Sequence, residues 1–142
     1  MAGNGTIGLE VLEDLPDADA VVIPYGGGGL TAGIASAVKA LRPETKVFTV
    51  EPETGAPLVL PKMWGIDSEL VDGALTASLD QTAAAVRLLA ERVRVIAEGA
   101  GALAPAAALA GRAGSGRIVC IVSGGNIDFS RLASILGGET PS

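Results

Sequence analysis

Four consecutive glycines, Gly26 to Gly29, stand between the apolar run Ala20–Pro24 and a stretch of helical apolar spacing from about Leu30 to Leu41. Bare backbone loses much conformational entropy on folding, so this junction constrains the chain more than any other feature. Ala20–Pro24 carries no polar side chain, as expected of a strand covered on both faces. Leu30, Ile34, Ala37, Val38 and Leu41 recur at helical spacing, and Arg42-Pro43 ends that helix. Lys46–Val50 reads as a second strand. Strand, helix and strand in so short a span make a βαβ unit, with parallel strands and a right-handed crossover.

The remaining elements follow the same pattern. Thr6–Leu15 is expected to be a short helix stopped by Pro16 and Asp17. Glu51–Leu60 reads as a proline-rich loop, and Met63–Glu69 fits either a helix or a loop. Leu75–Leu79 reads as an edge-like strand. Asp80–Arg94 is the strongest helix, with Ser78 or Asp80 as its cap. Ala100–Ala110 is an alanine-rich helix with Pro105 near its first turn, and Gly114-Ser115-Gly116 is a turn. Ile118–Val122 reads as a fully apolar strand, and a last helix covers about Ser130–Leu136, capped by Asn126 or Asp128. The expected fold is α/β, a parallel Rossmann-like sheet with flanking helices, in one domain spanning 1–142.

Composition removes several functions. The chain has no histidine, which excludes His-based triads and the common zinc sites. Its net charge is −6 with no basic patch, which argues against nucleic acid. No apolar run is long enough for a bilayer and no signal-peptide pattern opens the chain, so the cytoplasm is the default compartment and no membrane partner is expected. Cys120, the one cysteine, cannot form an internal disulfide and reads as inert core. Trp64 reads as packing and Asp72-Gly73 as a turn.

A glycine loop that leaves a strand and opens a helix presents free N–H groups at the positive end of the helix dipole, which is an anion site. Glycine lets a phosphate reach the main chain with no Cβ in the way. A plain strand-to-helix turn would need only two glycines. Gly27-x-Gly29-x-x-Ala32 also fits a dinucleotide fingerprint, with Glu51 where a ribose-binding acid belongs. Ser123-Gly124-Gly125 reads by itself as a second strand-to-helix turn. Beside the glycine run it becomes the other half of a site, since parallel sheets bind ligands beyond their carboxyl ends.

The segment from Gly3 to Glu53 closely resembles the threonine/serine dehydratase family, which includes serine racemases. "VIAEGAGALAPAAAL" and "IVCIVSGGNID" resemble its later segments in the right order. The resemblance implies pyridoxal 5'-phosphate as cofactor, a hydroxy amino acid as the parent enzyme's substrate, and the tryptophan synthase β-like fold. It implies that Gly26, Gly27, Gly28, Gly29 and the N–H of Leu30 cradle the cofactor phosphate. Ser123 would bond the pyridine nitrogen, and Glu98 would sit near the ring and substrate. By itself Glu98 reads as a helix-start charge. Glu51, with the carbonyl of Gly55, matches a site that holds a divalent cation, Mg or Ca, in some members. Here Pro57 stands where a second acid is expected.

The chain also departs from the family. The Ser-x-Lys motif with the cofactor-bearing lysine, the family's asparagine contact to the ring hydroxyl and the small closing domain have no counterpart in it. Its three lysines, Lys39, Lys46 and Lys62, lie in other contexts. "EPETGAPLVLPKMW" is more compact than the family's loop at that point. The expectation is a C-terminal portion of the large domain, without dehydratase turnover by itself. Exposed sheet edge would make it a homo-oligomer or the complement of an N-terminal fragment. The alternatives are a non-catalytic phosphate or nucleotide module and a self-associating structural fragment.

Overall fold

The computed structural model describes residues 2–54 and 61–140 and, within these, every side chain but those of 61–64 and 66. The elements run α1 (Ala2–Asp14), β1 (Ala20–Pro24), α2 (Gly29–Leu41), β2 (Lys46–Pro52), α3 (Pro61–Leu70), β3 (Gly73–Ala77), α4 (Leu79–Leu88), α5 (Leu103–Leu109), β4 (Ile118–Cys120) and α6 (Phe129–Gly137). The four strands form one parallel sheet in the order β3-β2-β1-β4.

Why β1 is uninterruptedly apolar is plain from its place. It lies between β2 and β4, and every one of its residues is buried. Val21 and Ile23 face one cluster, where Ile34, Ala35 and Val38 of α2 pack with Val47 of β2. Val22 faces the other, with Val50, Ala77 and the alanines of α4 and α5. The sheet is thus covered on both sides. Alanine dominates α5 because that helix lies directly against the sheet, with Leu103 to Ala107 all buried. Small side chains let its backbone approach closely, which suits a chain that has only four aromatic residues.

Most elements agree with the sequence reading, and the differences have local causes. α1 starts four residues early, because Gly8 lets it cross α2 closely. A Cβ on Gly8 would stand 2.9 Å from both Ala37 Cβ and Ile34 O. Asn4 Nδ2 also donates to Gly29 O at 3.1 Å, which ties the early turn to the glycine junction. Residues 61–70 are helical. The long helix beginning at Leu79 ends as α at Leu88 and continues as one π turn to Val93, stopped at Arg94 with φ 64°. Ser78, rather than Asp80, is its cap: Ser78 Oγ accepts from Gln81 N–H, and Gln81 accepts from Ser78 N–H. The helix expected from Ala100 opens instead with a 3-10 turn, and α5 begins at Leu103. That places Pro105 in the first α turn, where its missing N–H leaves no bond unmade.

β4 is shorter than the expected Ile118–Val122, and its residues are half-buried rather than core. Ile121 N–H still donates to Val22 O at 3.0 Å. The next rung would need an N–H from Pro24, which has none, so the ladder stops. Asp128 occupies the N-cap position of α6, yet its side chain makes no capping bond. Cys120 lies on this edge strand, and burial pushes its thiol up to about 11, so it is held unreactive. Among the described residues no helix is long and apolar enough to cross a membrane.

Candidate functional site

Because β1 and β4 are parallel neighbours, the loops that leave their carboxyl ends emerge side by side. Between them lies a cavity of about 300 Å³. Pro24 to Thr31 line one side, Ala100 and Leu103 another, and Ser123 a third. The glycine run and Ser123, separated by some ninety positions in sequence, therefore share one cavity, as their pairing predicts. Among the described residues no charged side chain lines it.

The donors come from the start of α2. Gly28 has φ 86°, a left-handed conformation that suits glycine, and it stands at the N-cap with no side-chain cap. The first helical bond is Ala32 N–H to Gly28 O, at 2.9 Å. The N–H groups of Gly29, Leu30 and Thr31 precede it and have no acceptor within the helix. A Cβ on Gly26, Gly27 or Gly29 would meet no other atom within 4 Å, so the protein's own packing does not require glycine there. What added side chains would fill is the open cradle itself. An anion there meets backbone donors and the positive end of a 13-residue helix. The residues present fit a phosphate monoester.

Glu98 is close by but does not line that cavity. It lines an adjoining one of about 440 Å³ with Thr82, Asn126, Asp128 and Arg131, and Ala100 borders both. Glu98 N–H donates to Gly124 O at 3.0 Å, and its carboxylate lies against Gly124 Cα. Gly101 rests on the Gly124 backbone from the other side, and a Cβ there would come within 2.8 Å of Gly124 N. Thus "EGAG" and "SGG" meet main chain to main chain, and that contact sets Ser123 at the cavity wall.

Glu51, at the end of β2, is half-buried and is absent from the cavity lining. Burial raises its carboxyl above the ordinary value. Among the described residues no three acidic, cysteine or histidine side chains come together as a metal site. Gly55 and Pro57 lie outside the described residues, as does the side chain of Trp64.

Sequence reasoning missed a buried polar pair under the glycine loop. Tyr25 is 7 % exposed, and its hydroxyl donates to Asp67 Oδ2 at 2.9 Å. Burial first, then the Asp67 carboxylate, then the Glu51 charge push the phenol up to about 12. Burial also raises Asp67, partly offset by the bond from Tyr25. As this is the only tyrosine, its ionisation can be followed by ultraviolet absorbance. The folded chain is expected to titrate near 12 instead of the usual value of about 10. An acid whose folded pKa is raised stabilises fully below its unfolded pKa. That contribution is lost as the pH climbs from about 10 to about 12. Asp67→Asn should bring the midpoint back toward 10, and a wild-type midpoint near 10 would show that the phenol is not held.

Lys39 and Lys46 are accounted for elsewhere. Lys39 Nζ is 2.6 Å from Asp72 Oδ2 and Lys46 Nζ 3.2 Å from Asp72 Oδ1. Val47 N–H also donates to Asp72 Oδ2 at 2.8 Å, and the lysines hold the Asp72 carboxyl below its ordinary value despite burial. Asp72 precedes β3 and Lys46 begins β2, so this network sits at the amino ends of the parallel strands. The glycine cavity is at their carboxyl ends, a strand length of roughly 15 Å away. The Lys62 side chain lies outside the described residues.

Known proteins resemble this chain in sequence and in fold. The profile of the family described as pyridoxal-phosphate dependent enzyme matches residues 1–124. The catabolic L-threonine dehydratase of Escherichia coli (strain K12) is 39% identical over 167 residues, covering 96% of this chain and 51% of the dehydratase. That aligned span is longer than the 142-residue chain, so the dehydratase carries internal residues with no counterpart here. The processed form of threonine deaminase isoform 2 from Solanum lycopersicum superposes with a TM-score of 0.85 at 33% identity. It covers 96% of this chain and 49% of its own. Serine racemase from Dictyostelium discoideum gives 0.83 at 29% identity, covering 89% of this chain and 50% of its own. The chain thus spans about half the length of these relatives.

Proposed function

Since the chain belongs to the family of pyridoxal-phosphate dependent enzymes, we propose that it is the cofactor-binding portion of a threonine/serine dehydratase. Such an enzyme removes the β-hydroxyl and the amino group of a hydroxy amino acid to leave a 2-oxo acid and ammonia. The observation that carries the reading is the pair of loops on one cavity: bare glycine donors with room for a phosphate, and Ser123 opposite them. The relatives that share this fold, with TM-scores above 0.8, include a threonine deaminase and a serine racemase.

In this reading the N–H groups of Gly26 to Leu30 hold the phosphate and fix the cofactor's position. Ser123, at the cavity wall, would offer its hydroxyl to the pyridine nitrogen. A hydroxyl, unlike a carboxylate, does not draw a proton onto that nitrogen. The cofactor supplies an electron sink, and an unprotonated ring makes it a mild one that suits β-elimination. Glu98 and Ala100 bring the second loop to the border of the adjoining cavity, where Glu98 would face the ring or the substrate. Lys39 and Lys46 are bound to Asp72 at the far end of the sheet. Neither serves the cofactor, and none of the three lysines, Lys62 included, stands in a Ser-x-Lys motif, so the chain alone is expected to bind without turning over threonine or serine.

The test is equilibrium binding of pyridoxal 5'-phosphate to the purified chain beside pyridoxine 5'-phosphate, which has no aldehyde. Similar affinity for both supports a cup that works through its phosphate donors. Binding of the aldehyde alone would point to chance reaction with a lysine, and binding of neither would overturn the reading.

Assembly is part of the same proposal. Phe129 is 89% exposed and Leu109 61%, while β4 ends the sheet with half-buried apolar residues. The chain is expected to self-associate or to take a complementing fragment. A monomer by light scattering at micromolar concentration would contradict the first of these.

A further inference from the structure

We propose that the Thr31 hydroxyl is an additional donor to the phosphate, beyond the glycine backbone, and that it helps the cup select phosphorylated ligands. The proposal rests on the cofactor reading above. Thr31 is the third residue of α2 and is 1% exposed. Its Oγ1 is buried with no hydrogen-bond partner among the described residues. A helical threonine ordinarily returns its hydroxyl to the carbonyl four residues back. Here that carbonyl would belong to Gly27, and the bond is not made.

Two more facts narrow what the hydroxyl is for. Thr31 lines the glycine cavity, and its N–H is one of the three helix-start donors without an acceptor. One residue therefore brings a free helix-start N–H to a small, uncharged cavity and keeps an unused hydroxyl buried beside it. The other orphaned buried atom among the described residues, Asp67 Oδ1, belongs to a carboxylate that already has Tyr25 as a partner on its second oxygen. Buried polar groups are almost always paired. An oxyanion in the cradle would complete Thr31 after a rotation of its side chain that turns the buried hydroxyl toward the cavity. A dianionic phosphate monoester has acceptor oxygens to spare and, with no lysine or arginine in the lining, gains most from each added donor.

The test compares the full chain with Thr31→Val and Thr31→Ser. Affinity for pyridoxine 5'-phosphate and for inorganic phosphate is read by calorimetry, and thermal unfolding is measured without ligand. Valine keeps the shape and removes an unpaired hydroxyl. Thr31→Val should therefore unfold at the same temperature or higher when empty, yet bind pyridoxine phosphate at least about 10-fold more weakly. Thr31→Ser should recover most of that loss. Equal affinity in Thr31→Val and wild type would overturn the assignment. A lower unfolding temperature of empty Thr31→Val would do so too, because the hydroxyl would then be structural. If the wild type bound neither probe, the cofactor reading would fail first and this assignment with it. If the wild type binds and the variant matches it, only the role of Thr31 fails.

Discussion

Gly27→Val is expected to lose pyridoxal phosphate binding while leaving the fold intact. The position has no positive φ, and a Cβ on it would meet no other atom within 4 Å. Nothing in the protein resists the new side chain, so unfolding should move by no more than about 2 °C. The ligand is what resists it. An isopropyl group over the cup keeps the phosphate from N–H donors whose charge-assisted bonds are worth about 1.5–3 kcal/mol each. Losing two lowers affinity by about 100-fold or more. Calorimetry with pyridoxine phosphate checks this without any contribution from an aldehyde. An affinity within a few-fold of wild type would place the phosphate elsewhere and remove the reason for the bare glycines.

Gly101→Ala should do the opposite, damaging the fold and the site together. Its Cβ would approach Gly124 N to 2.8 Å and press on the Gly124 carbonyl. Both are backbone atoms of a loop already held by Glu98 N–H at 3.0 Å, so no flexible side chain can give way. Overpacking of this kind costs about 3 kcal/mol, the upper end for one added carbon, because main chain must move. In a chain of this size that lowers the unfolding temperature by about 10 °C. The shift would carry Ser123 away from the glycine loop, so cofactor affinity should fall as well. A variant of wild-type stability would mean that "EGAG" and "SGG" do not meet through their backbones. Together the two variants would separate a residue kept bare for a ligand from one kept bare for packing.

Much of this protein was legible in the sequence because its signals are local. The strand from Ala20 to Pro24, the glycine junction and the helix to Leu41 are written in consecutive residues, and they stand where expected. The Ser78 cap is likewise a contact across three residues. The order of the motifs "GGGG", "AEGAG" and "SGGN" was enough to imply the family and the fold. Other features depended on partners far along the chain. β4 stops at Cys120 because Pro24, on the neighbouring strand, has no N–H to offer. Tyr25 became a buried donor only when α3 brought Asp67 to it, 42 residues away. Thr31 looked like an ordinary helix residue until packing closed around its hydroxyl without supplying an acceptor. Likewise the bare cradle at Gly27 and the tight contact at Gly101 look alike in sequence and differ only in what surrounds them. Local backbone preference is carried by a residue and its near neighbours, so sequence alone determined most of the elements and the bare glycine junction that opens α2. Burial, ladder length and unmet hydrogen bonds depend on which distant groups arrive beside a residue, and only the tertiary structure decided those.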